Sequence, residues 1–413
     1  MKKVREGYKI TELGEIPNDW NIMKLSEVAE IVMGQSPDSS SYNDIQDGVA
    51  FFQGKTEFGR INPVVKKWCN NPTKISKPLD ILISVRAPVG DVNINNIEAC
   101  IGRGLGAIRA SSNSNYKYLY YSIQKYNNQL KKASQGSTFE AINSNDLKGL
   151  KLLIPHIDEQ EKIALILSTV DKQIDNVDAL IEKNKELKKG LMQTLLIKGI
   201  GHTKFKKTEI GEIPEEWELE SMNKIVTSTQ LGTNTLGKEN EKIPMLKMGN
   251  LTIGGFDFNK LEYISEEELE MNKEYILSNG DFLFNTRNTL ELVGKSAVWN
   301  SQIDKAIFNS NIMRIKYCSK INDFYMGCYF SSDIGWKQLK SISTGTTSVA
   351  AIYTKDLMKI KVIIPSIGEQ EKIVSILLEV DKKIEEYENN KQKLEELKKG
   401  LMQQLLTGKI RVI

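Results

Sequence analysis

Cysteine and histidine are scarce in this chain of 413 residues. The four cysteines, Cys69, Cys100, Cys318 and Cys328, have no CxxC spacing, and only two histidines are present. Structural zinc sites need clustered Cys and His ligands, and disulfide frameworks need regularly spaced cysteines. The sequence therefore predicts neither, and a reduced, cytoplasmic setting fits this cysteine usage best.

Long apolar runs and a strong charge of one sign are also missing. No stretch approaches the roughly 18 consecutive apolar residues that a membrane helix needs, and we find no signal-peptide pattern. The 56 Lys and Arg residues stand against 53 Asp and Glu residues, which gives a net charge of +3. We therefore expect no membrane partner, and any basic surface for nucleic acid must be local.

Catalytic motifs are absent or incomplete. The segment IGRGLGA at 101–107 matches the glycine spacing of dinucleotide sites, but a poor helix start follows it, so we expect a turn beside a strand. The phosphate-loop endings at 54–56 and 294–296 lack the required upstream glycine. The nearest match to an amino-methyltransferase Asn-Pro-Pro-Tyr tetrapeptide is NNPT at 70–73. We predict a chain without a catalytic site, a metal or a cofactor of its own.

An internal repeat organises what is present. Residues 154–196 and 364–406 align without a gap at an offset of 210, and their first 22 positions share 14 identities. A shorter segment, TELGEIPNDW at 11–20, returns as TEIGEIPEEW at 208–217, with seven of ten residues identical. Each half of the chain thus begins with one shared segment and ends with another, which indicates a duplication.

Both copies of the long repeat predict a helix with an apolar seam. Apolar residues recur at alternating steps of three and four, which is the a and d spacing of coiled coils. We predict that the two helices pair antiparallel, and the alternative is that each is buried separately in its own globular core. The predicted seam positions are Ile163, Leu167, Val170, Ile174, Val177, Ile181, Ile373, Leu377, Val380, Ile384, Tyr387 and Leu394.

Between the repeats lie two divergent bodies. Short β-rich runs at 49–53, 81–85, 282–285 and 312–316 alternate with Gly, Pro and Asn, and helices are expected near 116–132 and 324–340. This pattern predicts α/β or α+β modules of about one domain each. We divide the chain into a first module at 1–155, a central helix at 156–200, a second module at 201–365, and a distal helix with a tail at 366–413.

These motifs resemble the specificity subunit of type I restriction-modification enzymes. The resemblance rests on the paired IPxIxEQEKI and LKKGLMQxLL blocks, the TELGEIP and TEIGEIP segments and the GSTFEAI stretch, and it covers nearly the whole chain. It implies two target-recognition domains that each read one half of a bipartite double-stranded DNA site, joined by an antiparallel coiled coil. It also implies docking of two methyltransferase subunits and of restriction subunits. S-adenosylmethionine, ATP and Mg are then expected on those partners.

Candidate DNA readers are loop residues near probable strand ends. Arg or Lys reads guanine, Asn or Gln reads adenine, and Ser or Thr contacts either, while the alternative for each position is a solvated surface residue. Arg86 and Arg287 are favoured because they recur at matched positions. The candidates are Gln53, Lys55, Arg60, Arg86, Arg103, Gln135, Ser137, Thr138, Lys247, Asn250, Arg287, Asn309, Asn311, Thr346 and Thr347.

The repeated ELKKGLM segment keeps more identity than packing alone requires. Its leucines and methionines can extend the helical seam, or they can bind the helices of a partner subunit. The predicted partner-docking residues are Leu191, Met192, Leu195, Leu401, Met402 and Leu405. Two other functions remain as alternatives: a methyltransferase or nuclease fused to recognition domains, and a scaffold that holds two heads without reading sequence.

Overall fold

The computed structural model describes residues 4–134, 141–238 and 241–412. The chain forms two compact units: unit 1 comprises 1–179 with 388–413, and unit 2 comprises 180–387. Two long helices contribute to both units, the central helix Ile157–Lys198 and the distal helix Ile367–Leu405. The boundaries between units therefore fall within these helices, whereas the division predicted from the sequence placed them at the helix ends.

Unit 1 is built from two sheets and two smaller strand pairs. An antiparallel sheet has the strand order Val92–Ile94, Ile81–Ser84, Leu105–Ala110, Ala29–Met33. A mixed sheet has the order Tyr42–Asn43, Lys67–Cys69, Val49–Phe52, Ala99–Ile101, Ile75–Ser76. The strand pairs are the leading hairpin, Tyr8–Thr11 with Gly14–Pro17, and Asn21–Lys24 with Lys151–Ile154.

The helices of unit 1 pack on the antiparallel sheet. They are Leu25–Val28, Tyr116–Tyr126, Asn128–Ser134 and Ser144–Lys148, with 3₁₀ turns at Ser39–Ser41 and Lys55–Glu57. Asn115 caps the second helix, because its side-chain oxygen accepts hydrogen bonds from the Lys117 and Tyr118 amides. The core joins this helix, the sheet and the adjoining parts of both long helices, through residues such as Ile83, Ile108, Tyr118, Leu167 and Leu406.

Unit 2 repeats this plan. Its antiparallel sheet has the order Val226–Leu231, Ile312–Tyr317, Phe282–Asn285, Ser296–Val298. Two three-stranded sheets have the orders Glu262–Ile264, Ile243–Leu246, Ile307–Phe308 and Arg287–Asn288, Ala350–Ala351, Thr344–Gly345. The strand pairs are the hairpin Phe205–Thr208 with Gly211–Pro214 and Glu218–Ser221 with Lys361–Ile364. The helices are Met222–Ile225, Glu266–Met271, Asp323–Ser331, Asp333–Ile342 and Thr354–Leu357, with a 3₁₀ turn at Lys273–Tyr275.

The same hydrogen bonds recur at matched positions in the two units. In unit 1 the Tyr118 hydroxyl donates to the Leu153 carbonyl at 2.6 Å, and in unit 2 the Tyr325 hydroxyl donates to the Ile363 carbonyl at 3.0 Å. The amides of the two capping residues, Asn115 and Asn322, donate to Gln160 and Gln370. The two modules are therefore copies of one α+β fold, as the repeat predicts.

The predicted long helices of the modules are each divided in two. The segment predicted as one helix near 116–132 is broken at Asn127. The segment near 324–340 is broken at Ser332, which ends one helix and caps the next by accepting a hydrogen bond from the Gly335 amide. A serine side chain can bond to the local backbone in place of the helical ladder, and this explains the second break.

The central and distal helices lie side by side and run antiparallel in each unit. In unit 1, Lys398 pairs with Asp171 at 2.8 Å and Lys391 with Asp178 at 2.7 Å. In unit 2, Lys188 pairs with Asp381 at 2.5 Å, and the Ile200 amide donates to Glu369 at 2.9 Å. The predicted antiparallel pairing is confirmed, and separate burial of the helices is wrong. The seam positions are buried, except that Ile384, Tyr387 and Leu394 are half-buried.

Each long helix is joined at its start to the tryptophan that follows the hairpin of its own unit. The Trp20 indole N–H donates to Glu159 at 2.9 Å, and Arg411 completes the cluster by contacting Glu159 at 2.8 Å. In unit 2 the Trp217 indole donates to Glu369 at 2.8 Å, and the His202 ring lies 2.9 Å from the same carboxylate. A carboxylate in the first turn of a helix is also favoured by the helix dipole.

Asp171 is the most heavily bonded of the ion-paired aspartates on the central helix. Its carboxylate accepts hydrogen bonds from the Tyr121 hydroxyl at 2.6 Å and from Lys398 at 2.8 Å, and Arg60 contacts it at 3.3 Å. Only 3% of the Asp171 side chain is exposed, against 41% for Asp381, its counterpart in the repeat. A buried carboxylate that loses its charge leaves its cationic partners uncompensated, whereas an exposed pair contributes little.

We predict that Asp171→Asn destabilises the protein by about 3 kcal/mol, and that Asp381→Asn costs no more than about 1 kcal/mol. The difference arises because Lys398 and Arg60 would face a neutral amide at a buried site, while the pair of Lys188 and Asp381 is partly exposed to solvent. Thermal melting of the two variants against the unchanged chain measures the difference. Equal losses in melting temperature would contradict this account of the Asp171 cluster.

Candidate nucleic-acid interface

Several of the predicted readers of unit 1 meet at one end of its two sheets. Strands Val49–Phe52 and Ala99–Ile101 are parallel, so Gln53 and the turn at 102–104 leave the sheet at the same edge. Strand Ile81–Ser84 ends at this edge too, because the Val85 amide donates to the Gly104 carbonyl at 3.0 Å. Gln53, Arg86 and Arg103 therefore lie together, and all three side chains are exposed. We call this set the strand-end cluster of unit 1.

The glycines of the IGRGLGA segment lie at this edge and allow its backbones to pack closely. As predicted, the segment forms a turn between two strands. A Cβ on Gly104 would lie 2.5 Å from the Gln53 carbonyl oxygen, and one on Gly102 would lie 3.1 Å from the Gln53 Cα. The glycines thus allow two backbones to approach closely, and no helix follows that could hold a pyrophosphate.

Unit 2 builds the same edge with different side chains. The Asn309 amide donates to the Leu246 carbonyl at 2.9 Å, just as the Gly102 amide donates to Phe52, so Lys247 and Asn309 occupy the positions of Gln53 and Gly102. The Thr286 amide donates to the Asn311 carbonyl at 3.0 Å, which matches the bond between Val85 and Gly104. The strand-end cluster of unit 2 comprises Lys247, Arg287, Asn309, Asn311, Thr346 and Thr347.

Arg86 and Arg287 occupy equivalent backbone sites. Arg86 forms a β-bridge with Ala141, and Arg287 pairs with Ala351 at the corresponding place. Both side chains are exposed, and among the residues that the structure describes neither guanidinium makes a hydrogen bond or an ion pair. An arginine without a protein partner keeps all five donors for a phosphate or a guanine edge.

The threonine loop lies next to Arg287. Thr346 and Thr347 are exposed at the tip of the hairpin Thr344–Gly345 with Ala350–Ala351, whose second strand pairs with Arg287–Asn288. The Leu290 amide donates to the Thr347 carbonyl at 3.1 Å, which ties the loop to the chain that follows Arg287. The corresponding candidates of unit 1, Gln135, Ser137 and Thr138, lie outside the described residues.

Other predicted readers are already engaged by the protein. Arg60 contacts Asp171 and Asp175 on the central helix, which favours a structural role. Lys55 pairs with Asp91, and Lys247, although it belongs to the strand-end cluster of unit 2, pairs with Glu262. The Asn250 amide is buried, and it donates to the carbonyls of Asp257 and Lys260 at 2.9 and 3.2 Å.

Lys295 is a candidate that the sequence reading missed. It lies beside the end of strand Phe282–Asn285, because the Asn285 amide donates to the Lys295 carbonyl at 2.8 Å. The side chain is only 7% exposed, and burial lowers the pKa of its ammonium group. Among the residues that the structure describes, no hydrogen bond or ion pair neutralises it, so an anionic ligand at this edge would be stabilised. A change of charge between the two units could have indicated Lys295 in the sequence, since Asp91 stands at the matched turn of unit 1.

The predicted docking residues pack against the cores of their own units. Leu195 and Leu405 are buried, and Leu191, Met192, Leu401 and Met402 are half-buried beside them. Two leucines of the same repeated segment are exposed instead, Leu187 at 51% and Leu397 at 50%. They stand at matched positions of the repeat, which a comparison of the two copies could have singled out.

The described residues offer little for other chemistry. Across 4–134, 141–238 and 241–412, no group of three or more His, Cys, Asp or Glu residues is arranged to hold a metal ion. None of the helices described in the structure is both long enough and apolar enough to cross a membrane.

Comparison with known proteins supports a single family. A family model described as "Type I restriction modification DNA specificity domain" matches twice, over residues 17–187 and 214–399. The putative type I restriction enzyme MjaX specificity subunit of Methanocaldococcus jannaschii is 40% identical over 195 residues, which is 46% of each chain. The MjaVIII specificity subunit of the same organism is 25% identical over 98% of this chain and 96% of its own.

A solved structure shares the fold. The crystal structure of the type I restriction-modification S subunit from M. genitalium aligns with a TM-score of 0.58 at 15% identity, and the alignment covers 98% of each chain.

Proposed function

Because this chain belongs to the family of type I restriction-modification DNA specificity domains, we propose that each of its two target-recognition domains reads one half of a split DNA site. The chain is a specificity subunit and is not itself an enzyme. We place the recognition domains at 1–155 and 201–365, and we assign 156–200 and 366–413 to the helices that join them. One observation carries the proposal: at the same strand end in both domains stands an exposed arginine that makes no hydrogen bond or ion pair through its guanidinium with the described residues.

The strand-end clusters have the chemistry that base reading needs. Arg86 and Arg287 supply the shared contact, while the residues around them differ, with Gln53 and Arg103 in one domain and Asn309 and Thr347 in the other. Arginine binds the guanine edge with two parallel hydrogen bonds, and Gln or Asn binds the adenine edge in the same way. Different neighbours around one arginine would therefore select different half-sites.

The long helices are suited to set the gap between the half-sites. The central helix has 42 residues and is therefore roughly 60 Å long at 1.5 Å per residue. Half-sites one turn apart are separated by about 34 Å. A paired helix resists bending, so the number of unread base pairs would follow from helix length.

Methyltransferase subunits are proposed to dock on the exposed face of the repeated ELKKGLM segment. Leu187 and Leu397 lie on this face, followed by Gly190 and Gly400, where an added Cβ would meet nothing within 4 Å. Glycine allows a partner helix to approach closely, and exposed leucine offers apolar surface to bury. Because the segment occurs twice, it would bind two copies of one partner.

The cofactors of the assembly are proposed to reside on its other subunits. The methyltransferase subunits would carry S-adenosylmethionine, and the restriction subunits would use ATP and Mg. The chain is then a cytoplasmic adaptor that links sequence recognition to their chemistry.

Mapping methylated bases across the genome of a host, with and without this chain, tests the proposed function. We expect one bipartite motif to lose its methylation when the chain is removed, because no other subunit reads the two half-sites. The motif found would identify both half-sites and the gap. An unchanged methylation pattern, or loss of methylation without a bipartite motif, would contradict the proposal.

Arginine variants test the reading surface. In the complex with methyltransferase subunits, Arg86→Ala and Arg287→Ala should each weaken binding to the cognate site about 10-fold to 100-fold. Each variant should relax the methylated motif in one half only. Binding is measured by fluorescence anisotropy at fixed salt, because phosphate contacts depend on ionic strength. Lys148→Ala and Lys382→Ala are controls that remove one exposed charge away from the clusters, and arginine variants that behave like them would exclude these clusters.

Leucine variants test the docking face. We expect Leu187→Asp or Leu397→Asp to leave one methyltransferase subunit bound, and the double variant to bind none, because a buried charge opposes the apolar contact. Light scattering of the assembled complex measures the stoichiometry. Leu165→Asp is the control, since Leu165 is exposed on the same helix as Leu187 but lies outside the ELKKGLM segment. Full assembly of the double variant would place the docking surface elsewhere.

A further inference from the structure

Unit 2 contains a cavity whose counterpart in unit 1 is filled by the protein's own side chains. Its volume is about 330 Å³, and it lies among the central helix, the distal helix, the helix Asp323–Ser331 and the loop at 253–256. Its lining includes Lys188, Ile253, Phe324, Gly327, Cys328 and Asp381. The size falls at the lower end of the range for small-molecule sites.

The matched hydrogen bonds of the two units identify what fills the space in unit 1. The bonds of Asn115 and Tyr118 in unit 1 recur at Asn322 and Tyr325 in unit 2, so the two helices align residue by residue at one offset. Gly327 and Cys328 of unit 2 therefore stand where unit 1 has Tyr120 and Tyr121. Both tyrosines are buried.

The neighbouring loop shows a third replacement. The bridge between Phe58 and Pro63 in unit 1 corresponds to the bridge between Leu251 and Phe256 in unit 2, and each encloses four residues. Arg60 thus corresponds to Ile253. Three large side chains that close the space in unit 1 are replaced by glycine, cysteine and isoleucine, and this accounts for the cavity.

The polar partners of the missing tyrosine remain in place. In unit 1 the Tyr121 hydroxyl donates to Asp171 at 2.6 Å, and the Lys398 ammonium, which pairs with Asp171, lies 5.5 Å from the Tyr121 ring centre. In unit 2 Asp381 pairs with Lys188 in the same way, and both line the cavity. Asp381 therefore has an acceptor oxygen, and Lys188 a cation, for a phenol ring that the chain does not supply.

We propose that this cavity is a binding site for a p-hydroxyphenyl group, whose hydroxyl donates to Asp381 while its ring lies against Lys188, Phe324 and Ile253. A free phenolic compound and a tyrosine side chain of a partner protein share this chemistry. A cavity of roughly 150 Å³ lined by apolar groups binds benzene, so the space here accommodates a substituted ring. The hydrogen bond to a carboxylate and the contact with a lysine ammonium add to the apolar burial.

The Cys328 thiol in the cavity does not compete with Asp381 for the hydrogen bond of the phenol hydroxyl. Burial raises the pKa of Cys328 to about 11, so the group is a neutral thiol near pH 7. A neutral thiol is a weak donor and a small apolar group, which favours an apolar ring beside it.

Titration of the full chain with p-cresol, the analogue of a tyrosine side chain, tests the site by calorimetry. We expect saturable binding at one site, and about tenfold weaker binding of toluene, which lacks the hydroxyl. Cys328→Tyr should abolish p-cresol binding by filling the cavity, whereas Cys328→Ser should keep it. Asp381→Asn should lower the affinity for p-cresol towards the affinity for toluene.

Failure of the wild-type chain to bind p-cresol saturably, or equal binding by Cys328→Tyr, would overturn the proposal. A second measurement covers the case in which Cys328→Tyr does not fold: p-cresol should protect Cys328 of the unchanged chain from alkylation, with Cys318 as the unprotected control. Absence of protection would also overturn it. These readouts require neither DNA nor the methyltransferase, so they are independent of the function proposed above.

Assembly distinguishes the two sources of the group. If a partner tyrosine occupies the cavity, p-cresol at saturation should weaken binding of the methyltransferase subunit, and Cys328→Tyr should assemble poorly. If a free phenol is the ligand, assembly should be unaffected by both.

Discussion

Packing of the central helix against the distal helix is the interaction on which the rest of the structure depends. The seam residues of both helices are largely buried, and a fully buried aliphatic side chain contributes about 1.5 to 3 kcal/mol. Ion pairs at Asp171 and Asp381 fix which residues face each other. At each helix start a glutamate accepts a hydrogen bond from the tryptophan that follows the leading hairpin, so the first segment of each module is tied to the same frame.

Because both modules share one backbone frame, the side chains at their strand ends and in their interiors can differ. The backbone hydrogen bonds around Arg86 are repeated around Arg287, yet the neighbours change from Gln53 and Arg103 to Lys247 and Asn309. Side chains also differ in the interior, where smaller residues replace two tyrosines and an arginine of unit 1 and leave the cavity of unit 2. Scaffold positions retain their bonding partners in both units, whereas the side chains at the strand ends and next to Asp381 differ from those of unit 1. Recognition can therefore change without rebuilding the fold.

The sequence predicted what depends on local pattern and on repetition. A seam at alternating steps of three and four, and a gap-free repeat, led to the antiparallel helix pair, and the turn at IGRGLGA followed from the poor helix start after it.

Tertiary partners could not be predicted in this way. Arg60 looks like a free loop arginine until Asp171 and Asp175 are seen beside it, and Leu191 belongs to a module core although its spacing continues the seam. The breaks at Asn127 and Ser332 depend on backbone conformation and capping that spacing does not encode. The cavity of unit 2 could not be predicted either. It becomes evident only when two helices are aligned residue by residue, and their sequences are too different for that alignment.

Lengthening both helices by one heptad tests the central claim most directly. Seven seam-matched residues would be inserted after Ala179 and seven after Asn389, so that the antiparallel register is kept on both sides. The insertion adds roughly 10 Å, which is about three base pairs of duplex at ten base pairs per turn of about 34 Å. Methylation mapping should then find the same two half-sites with a gap about three base pairs longer. An unchanged gap, or altered half-sites, would contradict the claim that a paired helical frame sets the distance between two independent readers.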